Sequence, residues 1–231
     1  MTRFLALFLL AATTPVGAAG LPRNFSVTSF DRIRVEGPYA VTLATGRAPS
    51  ARAEGSAASL DAIDLRVEGT TLILRQRSGS GWSGSATPVS IRLSTPSLRT
   101  ALLVGAGSLA IDRMDGLSVD VAMQGSGVLS VGNVSADRIN ASAQGSGALR
   151  LAGRGKVGSY VGRGTAALQA DQLAVDEVTL AADGAGDVAL TAKSRATLNI
   201  AGPVTVKVLG NPACTVRASG SVAISGCRDS R

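Results

Sequence analysis

The chain has 231 residues, enough for one large or two small domains with a real core. Apolar residues make up 45% of it but aromatic residues only 3%, so we expect an interior built mainly from Ala, Val, Leu and Ile. The net charge is +7 and histidine is absent, which excludes Ser-His-Asp catalysis, Cys-His catalysis and histidine metal sites.

Residues 1–19 are predicted to be a secretory signal peptide. Arg3 supplies the positive start, Phe4–Ala12 the apolar run, and small residues allow cleavage after Ala18 or Ala19. The run is too short to span a bilayer, and no other stretch comes close. We therefore expect a soluble mature chain without a transmembrane anchor, in the periplasm or at the surface of a bacterium. It would keep 22 basic and 16 acidic residues.

Residues 25–104 are predicted to form an N-terminal β region. Apolar and polar residues alternate in short segments such as Ile33–Val35 and Val89–Leu93, which is typical of half-buried strands. Glu68–Thr70 is predicted to be a hairpin turn, and the Gly/Ser-rich segment 78–87 a loop. The region shows no Gly-x-Gly column of the kind that follows it.

Residues 105–231 are predicted to form a repetitive region in which a Gly-x-Gly turn precedes each alternating strand. Copies of this turn begin at Gly105, Gly125, Gly145 and Gly184, and another is read at Gly162-Arg-Gly164. In chain order the five copies start 20, 20, 17 and 22 residues apart. Weaker copies begin at Gly202 and Gly220. The predicted structural turn glycines are Gly105, Gly107, Gly125, Gly127, Gly145, Gly147, Gly184 and Gly186.

The repeat predicts an all-β fold, a β-solenoid resembling a β-helix with coils of about 20 residues. Each unit has two short strands and two turns, and it cannot bury its apolar row unless another unit stacks on it. A β-sandwich is the structural alternative. It would also turn every 8–12 residues, but it would not need glycines at one recurring position.

Cys214 and Cys227 are the only cysteines, and both lie near the C-terminus. In an exported chain such a pair is predicted to form a disulfide, here closing a loop of about 14 residues. A redox pair would have Cys-x-x-Cys spacing, which is absent.

Basic residues are densest at Arg150, Arg154, Lys156 and Arg163. Such a stretch could attract an anionic glycan or another anionic cell-surface component. Aromatic residues are not interleaved with it, so binding of nucleic acid is not expected.

Acidic residues flank two of the predicted turns. Asp183 and Asp187 enclose the glycines at 184 and 186, and Asp112 lies close to Asp115. Such pairs are typical of ordinary turns. They could also hold calcium or act as carboxylate catalysts on a polysaccharide. The match of 153–158 to GxGxxG is not a dinucleotide site, because no helix is predicted after it.

The order of these elements resembles a known family. Its landmarks here are Phe30–Gly37 with Ala40–Leu43, then Leu65–Gly69 with Leu72–Leu74, then the Gly-x-Gly repeats. Over about residues 25–210 the chain is similar to the autotransporter adhesin head, or GIN domain, family of exported bacterial proteins. The resemblance implies a β-helix-like fold and a place outside the cytoplasm, and it implies no catalytic or ligand-binding residues.

Two functions are compatible with the sequence. The first is a non-catalytic envelope or surface protein with a flat, repetitive binding face, adhesive or binding anionic glycans. Ser126, Ser146, Gln124 and Gln144 recur in register and would lie on that face. The alternative is a polysaccharide lyase or hydrolase that uses the acidic turns. We assign no catalytic residue, cofactor or metal site, and neither ligand nor oligomeric state follows from the sequence.

Overall fold

A computed structural model describes residues 21–77 and 89–228 of the chain. The predicted signal peptide and the predicted loop at 78–87 lie outside the described residues. Strands make up 74% of the structure and helix 3%, which confirms the all-β prediction.

The described residues form sixteen strands and one short helix. The N-terminal elements are β1 (Leu21–Phe25), β2 (Arg32–Glu36), β3 (Ala40–Thr45), β4 (Ser50–Gly55), α1 (Ala57–Asp61), β5 (Ile63–Glu68), β6 (Thr71–Gln76), β7 (Ser90–Thr95) and β8 (Thr100–Val104). The later elements are β9 (Ser108–Gly125), β10 (Val128–Gly145), β11 (Ala148–Gly164), β12 (Ala167–Gly184), β13 (Asp187–Ala201), β14 (Thr205–Leu209), β15 (Ala213–Ser219) and β16 (Ala223–Ser225).

The long strands β9 to β13 form most of the coils of a β-solenoid of about six turns, as predicted. Each pairs in parallel with the next along nearly its whole length. We name the sides of a coil from β9: face A is 108–111, the third side 113–118 and face B 119–124, with the equivalent residues of other coils. The glycine corner, 105–107 in the first copy, joins face B of one coil to face A of the next.

The N-terminal strands continue the same two faces. On face A, β3 pairs in parallel with both β7 and β9. On face B, β2 pairs with β6 and β8, and β8 pairs with β9. The sheets therefore run without a break past residues 104 and 105. Antiparallel strands β1, β4 and β5 lie at the N-terminal end of the stack.

The core follows from the alternation within each coil. On face A, Leu109, Leu129 and Leu149 are direct register partners and are almost fully buried. Such rows repeat on face B and on the third side, so small apolar side chains stack from coil to coil. Each fully buried Val or Leu side chain contributes about 1.5–3 kcal/mol relative to exposure.

Tyr160 interrupts this pattern of small side chains. It replaces Ala141 of the preceding coil and is only 1% exposed. A Cβ at Gly158 would lie 2.8 Å from the Tyr160 hydroxyl, so this glycine makes room for the ring. The hydroxyls of Tyr160 and Tyr39 have no hydrogen-bond partner among the described residues, and burial raises the pKa of both phenols.

These two phenols give a prediction about pH. The folded chain keeps their protons above about pH 10, where tyrosines of the unfolded chain ionise, so the free energy of unfolding should fall as pH rises beyond 10. Tyr160→Phe should make this decline shallower. At pH 7 it should leave stability unchanged or raise it by up to about 1 kcal/mol, because it removes an unpaired buried hydroxyl. Denaturant unfolding at pH 7 and about pH 11 tests this, and equal declines in the two proteins would contradict it.

The glycine corner is a column of backbone turns in direct contact. The carbonyl oxygen of Gly125 accepts hydrogen bonds from the N–H groups of Ser146 and Gly147, both at 3.0 Å. The first glycine of every copy has a φ between +86° and +135°, which favours glycine. These first glycines are Gly37, Gly105, Gly125, Gly145, Gly164, Gly184, Gly202 and Gly220.

Two features of the predicted column are corrected. The copy read at Gly162 was placed wrongly, because Gly145 pairs with Gly164 and the true spacings are 20, 20, 19, 20, 18 and 18 residues. The 19-residue step comes from a register shift after Val131. The column also begins earlier than predicted, because Gly37 is stacked beneath Gly105 and Gly107 in the N-terminal region.

The last coil contains the predicted disulfide. Cys214 in β15 and Cys227 after β16 are bonded, with their Cα atoms 5.7 Å apart. The N–H of Arg228 donates to the carbonyl of Pro212 at 3.0 Å, so the chain that follows Cys227 returns to the start of β15.

In the part of the chain that the structure covers, no helix is long and apolar enough to cross a membrane.

Candidate functional site

The predicted basic stretch does not form one patch, because its residues lie on three different sides of a coil. Arg150 lies on face A, where its Nε donates to Gln169 Oε1 at 2.8 Å. Arg154 and Lys156 lie on the third side, and Arg163 lies on face B. Winding the chain into coils therefore disperses charge that is dense in the sequence.

The third side carries exposed ion pairs. Lys156 contacts Asp137 at 2.9 Å, which raises the pKa of that lysine. Lys193 with Asp176 at 3.2 Å and Arg195 with Glu177 at 3.4 Å repeat the arrangement in the following coils. Exposed pairs of this kind are screened by solvent and contribute little to stability. These pairs neutralise Lys156, Lys193 and Arg195, which leaves Arg113, Arg138 and Arg154 of the third side unpaired among the described residues.

The basic residues of the N-terminal strands are mostly paired as well. Asp64 pairs with Arg66 and Arg75, which lowers the pKa of its carboxyl group, and Asp31 pairs with Arg99 with the same effect. Unpaired cations are therefore found mainly in the coils. Among the described residues, those without an ion pair or side-chain hydrogen bond are Arg47, Arg113, Arg138, Arg154, Arg163, Lys207, Arg217 and Arg228.

Face B is flat and carries three outward rows of side chains, of which the first and the third are mainly polar. Asn140 Nδ2 donates to Asp120 Oδ1 at 2.7 Å, which joins two neighbouring coils along the first row. Neighbouring members of a row are about 4.8 Å apart, the strand spacing. The first row is Thr100, Asp120, Asn140, Ser159, Thr179, Thr197 and Thr215; the second is Leu102, Ala122, Ser142, Val161, Ala181, Asn199 and Arg217; the third is Val104, Gln124, Gln144, Arg163, Asp183, Ala201 and Ser219.

A shallow cleft of about 310 Å³ interrupts the second and third rows. We call it the face-B cleft. Its floor includes Ala181 and Ala201, and the exposed polar residues that line it are Arg163, Asp183, Asn199 and Arg217. Arg163 and Asp183 are register partners on adjacent strands, yet they form no ion pair within 4.0 Å. Both charges are therefore available to a ligand.

The predicted serines and glutamines occupy two different places. Ser126 and Ser146 are exposed at the glycine corner, whereas Gln124 and Gln144 are register partners in the third row of face B. The two glutamines thus stand where Arg163 stands in the next coil. The structural turn glycines from Gly105 to Gly186 all lie at the corner itself.

The acidic residues do not converge on one reaction centre. Asp183 lies on face B and Asp187 on face A, with the glycine corner between them. Asp112 accepts hydrogen bonds from Thr45 N at 2.9 Å and Thr45 Oγ1 at 3.1 Å, so it ties β9 to β3. Asp115 lies on the third side. Within residues 21–77 and 89–228 no group of three or more Cys, Asp or Glu side chains could hold a metal ion.

The GxGxxG match lies within strand β11, and no helix follows it. Each of its glycines has a packing role. A Cβ at Gly153 would come closer than 3.0 Å to the backbone of Val134, and one at Gly155 would meet the Ile139 side chain at 2.5 Å. The third glycine, Gly158, makes room for Tyr160.

A larger concavity lies between face A and the third side. It has a volume of about 700 Å³ and is lined by Ser130, Arg150, Gln169 and Gln172 among others. It forms where the pairing register shifts between β11 and β12. Its only cation, Arg150, is already bonded to Gln169, so the face-B cleft is the stronger candidate.

Comparison with known proteins agrees with this architecture. Residues 29–212 match the family described as "Putative auto-transporter adhesin, head GIN domain". A search of curated proteins found no match.

Three solved structures illustrate the shared fold. A "putative adhesin" from Bacteroides fragilis superposes with a TM-score of 0.82 at 19% identity, over 90% of this chain and 97% of that chain. A "putative lipid binding protein" from Parabacteroides distasonis gives 0.70 at 20% identity, over 90% and 96%. A "putative adhesin" from Parabacteroides merdae gives 0.71 at 15% identity, over 90% and 95%. At these identities the likeness shows the shared fold.

Proposed function

The chain belongs to the GIN domain family of auto-transporter adhesin heads, and from this premise we propose that it is a non-catalytic, exported binding protein for an anionic surface glycan. The observation that carries the proposal is face B, a flat sheet about six coils long with small polar side chains in register. A regular row of hydrogen-bonding groups fits a regular polymer such as a glycan chain.

The charge distribution supports an anionic ligand. The unpaired cations of face B, Arg163 and Arg217, face outward from the flat rows. One similar structure is named a lipid binding protein. The large apolar side chains exposed among the described residues of this chain are Leu117, Val157 and Val216, which lie apart on the third side and in the last coil. A polar polymer fits this surface better than a lipid.

The proposal predicts binding without turnover. The mature chain should bind acidic glycans on a glycan array and release them unchanged, because Asp183 and Asp187 lie on different faces. Asp183→Ala and Asp187→Ala variants should likewise release no shortened product when incubated with the bound glycans. Turnover by the wild type that disappears in these variants would instead show a polysaccharide lyase or hydrolase. Failure of the wild type to bind any glycan would contradict the proposal itself.

A further inference from the structure

We infer that the face-B cleft is a subsite for one uronic acid residue of the glycan, a sugar ring that carries both a carboxylate and hydroxyl groups. This inference rests on the proposed function and names the unit that the surface recognises. It depends on four side chains from four different coils: Arg163, Asp183, Asn199 and Arg217.

The two arginines provide the charge for a carboxylate. A guanidinium group donates two parallel hydrogen bonds to a carboxylate, and it keeps its charge at any physiological pH. Arg163 and Arg217 line the same cleft, and neither has an ion-pair partner among the described residues. In contrast, Lys156 and Lys193 of the third side are already paired with aspartates. The cleft therefore holds two cations that are ready to bind an anion.

The other two polar side chains select hydroxyl groups. An ionised Asp183 only accepts hydrogen bonds, so it binds sugar hydroxyls and repels a ligand that is anionic over its whole surface. Asn199 both donates and accepts. A carboxylate bound to the arginines and hydroxyls bound to Asp183 and Asn199 together describe a uronic acid.

The shape of the cleft agrees with one small ring. Its volume of about 310 Å³ lies at the lower end of the range for small-molecule sites. Ala181 and Ala201 keep the floor low between the longer arginine side chains. In earlier coils the position of Ala181 is occupied by Ser142 and Val161, and the position of Ala201 by Gln144. This combination of two arginines, an aspartate and an asparagine therefore occurs once along the described part of face B. A single subsite of this kind would fix the position at which the polymer binds.

The decisive experiment measures affinity for defined oligouronates. Hexamers of galacturonate, of mannuronate and of guluronate, and a glucuronate-containing hexamer, are titrated into the mature protein by calorimetry. Arg163→Gln introduces the residue found at this position in the two preceding coils, so the fold should be preserved. We expect it to weaken binding by about tenfold or more, because a charge-assisted hydrogen bond to the carboxylate is lost. Arg154→Gln removes the same charge from an unpaired residue on the third side and should weaken binding less than about twofold.

A second pair of variants tests the shape of the cleft without changing its charge. Ala181→Gln fills the floor and should weaken binding about tenfold, whereas Ala110→Gln, at an exposed alanine on face A, should have little effect. The methyl ester of the galacturonate hexamer keeps the hydroxyls but loses the carboxylates, and it should bind weakly.

Several outcomes would overturn the inference while leaving the proposed function intact. One is binding of sulfated glycans in preference to all four uronates. Others are equal effects of Arg163→Gln and Arg154→Gln, or equal affinity for the hexamer and its methyl ester. If the wild type binds no glycan at all, the proposed function fails together with the inference.

Discussion

Gly147→Ala is expected to destabilise the protein by about 3–5 kcal/mol, a cost typical of severe packing defects. A Cβ at this buried glycine would come closer than 3.0 Å to the carbonyl oxygen of Gly127 in the preceding coil. That oxygen cannot move away, because it accepts a 3.0 Å hydrogen bond from the N–H of Ala148. The added methyl group therefore forces two coils apart at the corner.

Gly162→Ala is the matched control. Gly162 is also buried and lies only fifteen residues away, but a Cβ there would have no neighbour within 4 Å. The same substitution should be neutral or stabilise the protein by up to about 1 kcal/mol, since it restricts the unfolded chain. Thermal and denaturant unfolding of the two variants measures the difference. Equal stabilities would contradict the close stacking of the corners.

Two further substitutions test whether the glycine corner is a structural turn or a binding groove. Gly145→Val adds backbone strain to the steric clash, because Gly145 has a φ of +111°, and should lower stability by at least about 1–3 kcal/mol. Ser146→Ala, at the exposed tip of the same turn, should change stability by less than about 0.5 kcal/mol and leave glycan binding intact. Loss of binding in Ser146→Ala with an unchanged melting temperature in Gly145→Val would place the ligand at the corner.

Removal of the disulfide is expected to cost about 3 kcal/mol, because it frees a loop of about 14 residues in the unfolded chain. The effect should be local. In a stack of coils each unit contacts only its neighbours, and β15 and β16 pair only with β13 and β14 among the named strands. The Cys214→Ser/Cys227→Ser protein should therefore lose hydrogen-exchange protection in residues 205–228 but keep it in β9 to β11.

Reduction of the wild type is the matched control for that prediction. Dithiothreitol should produce the same local loss of protection without any substitution. A loss of protection spread evenly from β9 to β15 would show that the coils unfold as one unit, contrary to the local effect expected here.

The fold was largely predictable because the spacing of the corner glycines equals the length of one coil. Gly125 and Gly145 stand 20 residues apart and pair directly. The error at Gly162 arose because a local Gly-x-Gly match outweighed the period. The following coil has lost one residue through a register shift, so its corner glycine is Gly164. Gly37 escaped notice because its neighbours are Pro38 and Tyr39, with no second glycine.

The candidate site was not predictable as a unit. Asp183 and Arg163 were each singled out, but for different reasons and with different expected ligands. Whether a residue lies on face B or on the third side depends on its position within the coil. Arg154 and Arg163 are nine residues apart in the same coil and lie on different sides of it. Asn199 and Arg217 carry no local signal. Their spacing of 18 residues becomes informative only when the coil length is known.

The central claim, that the face-B cleft is the surface that binds an acidic glycan, can be tested by arginine-specific modification. The mature protein is treated with phenylglyoxal with and without a saturating uronate hexamer, and the modified arginines are identified by mass spectrometry. The account predicts that the hexamer slows modification of Arg163 and Arg217. It should not change the rate of modification of Arg138 and Arg154, which are exposed and unpaired on the third side. Equal protection of all four arginines, or protection of Arg138 and Arg154 alone, would contradict it.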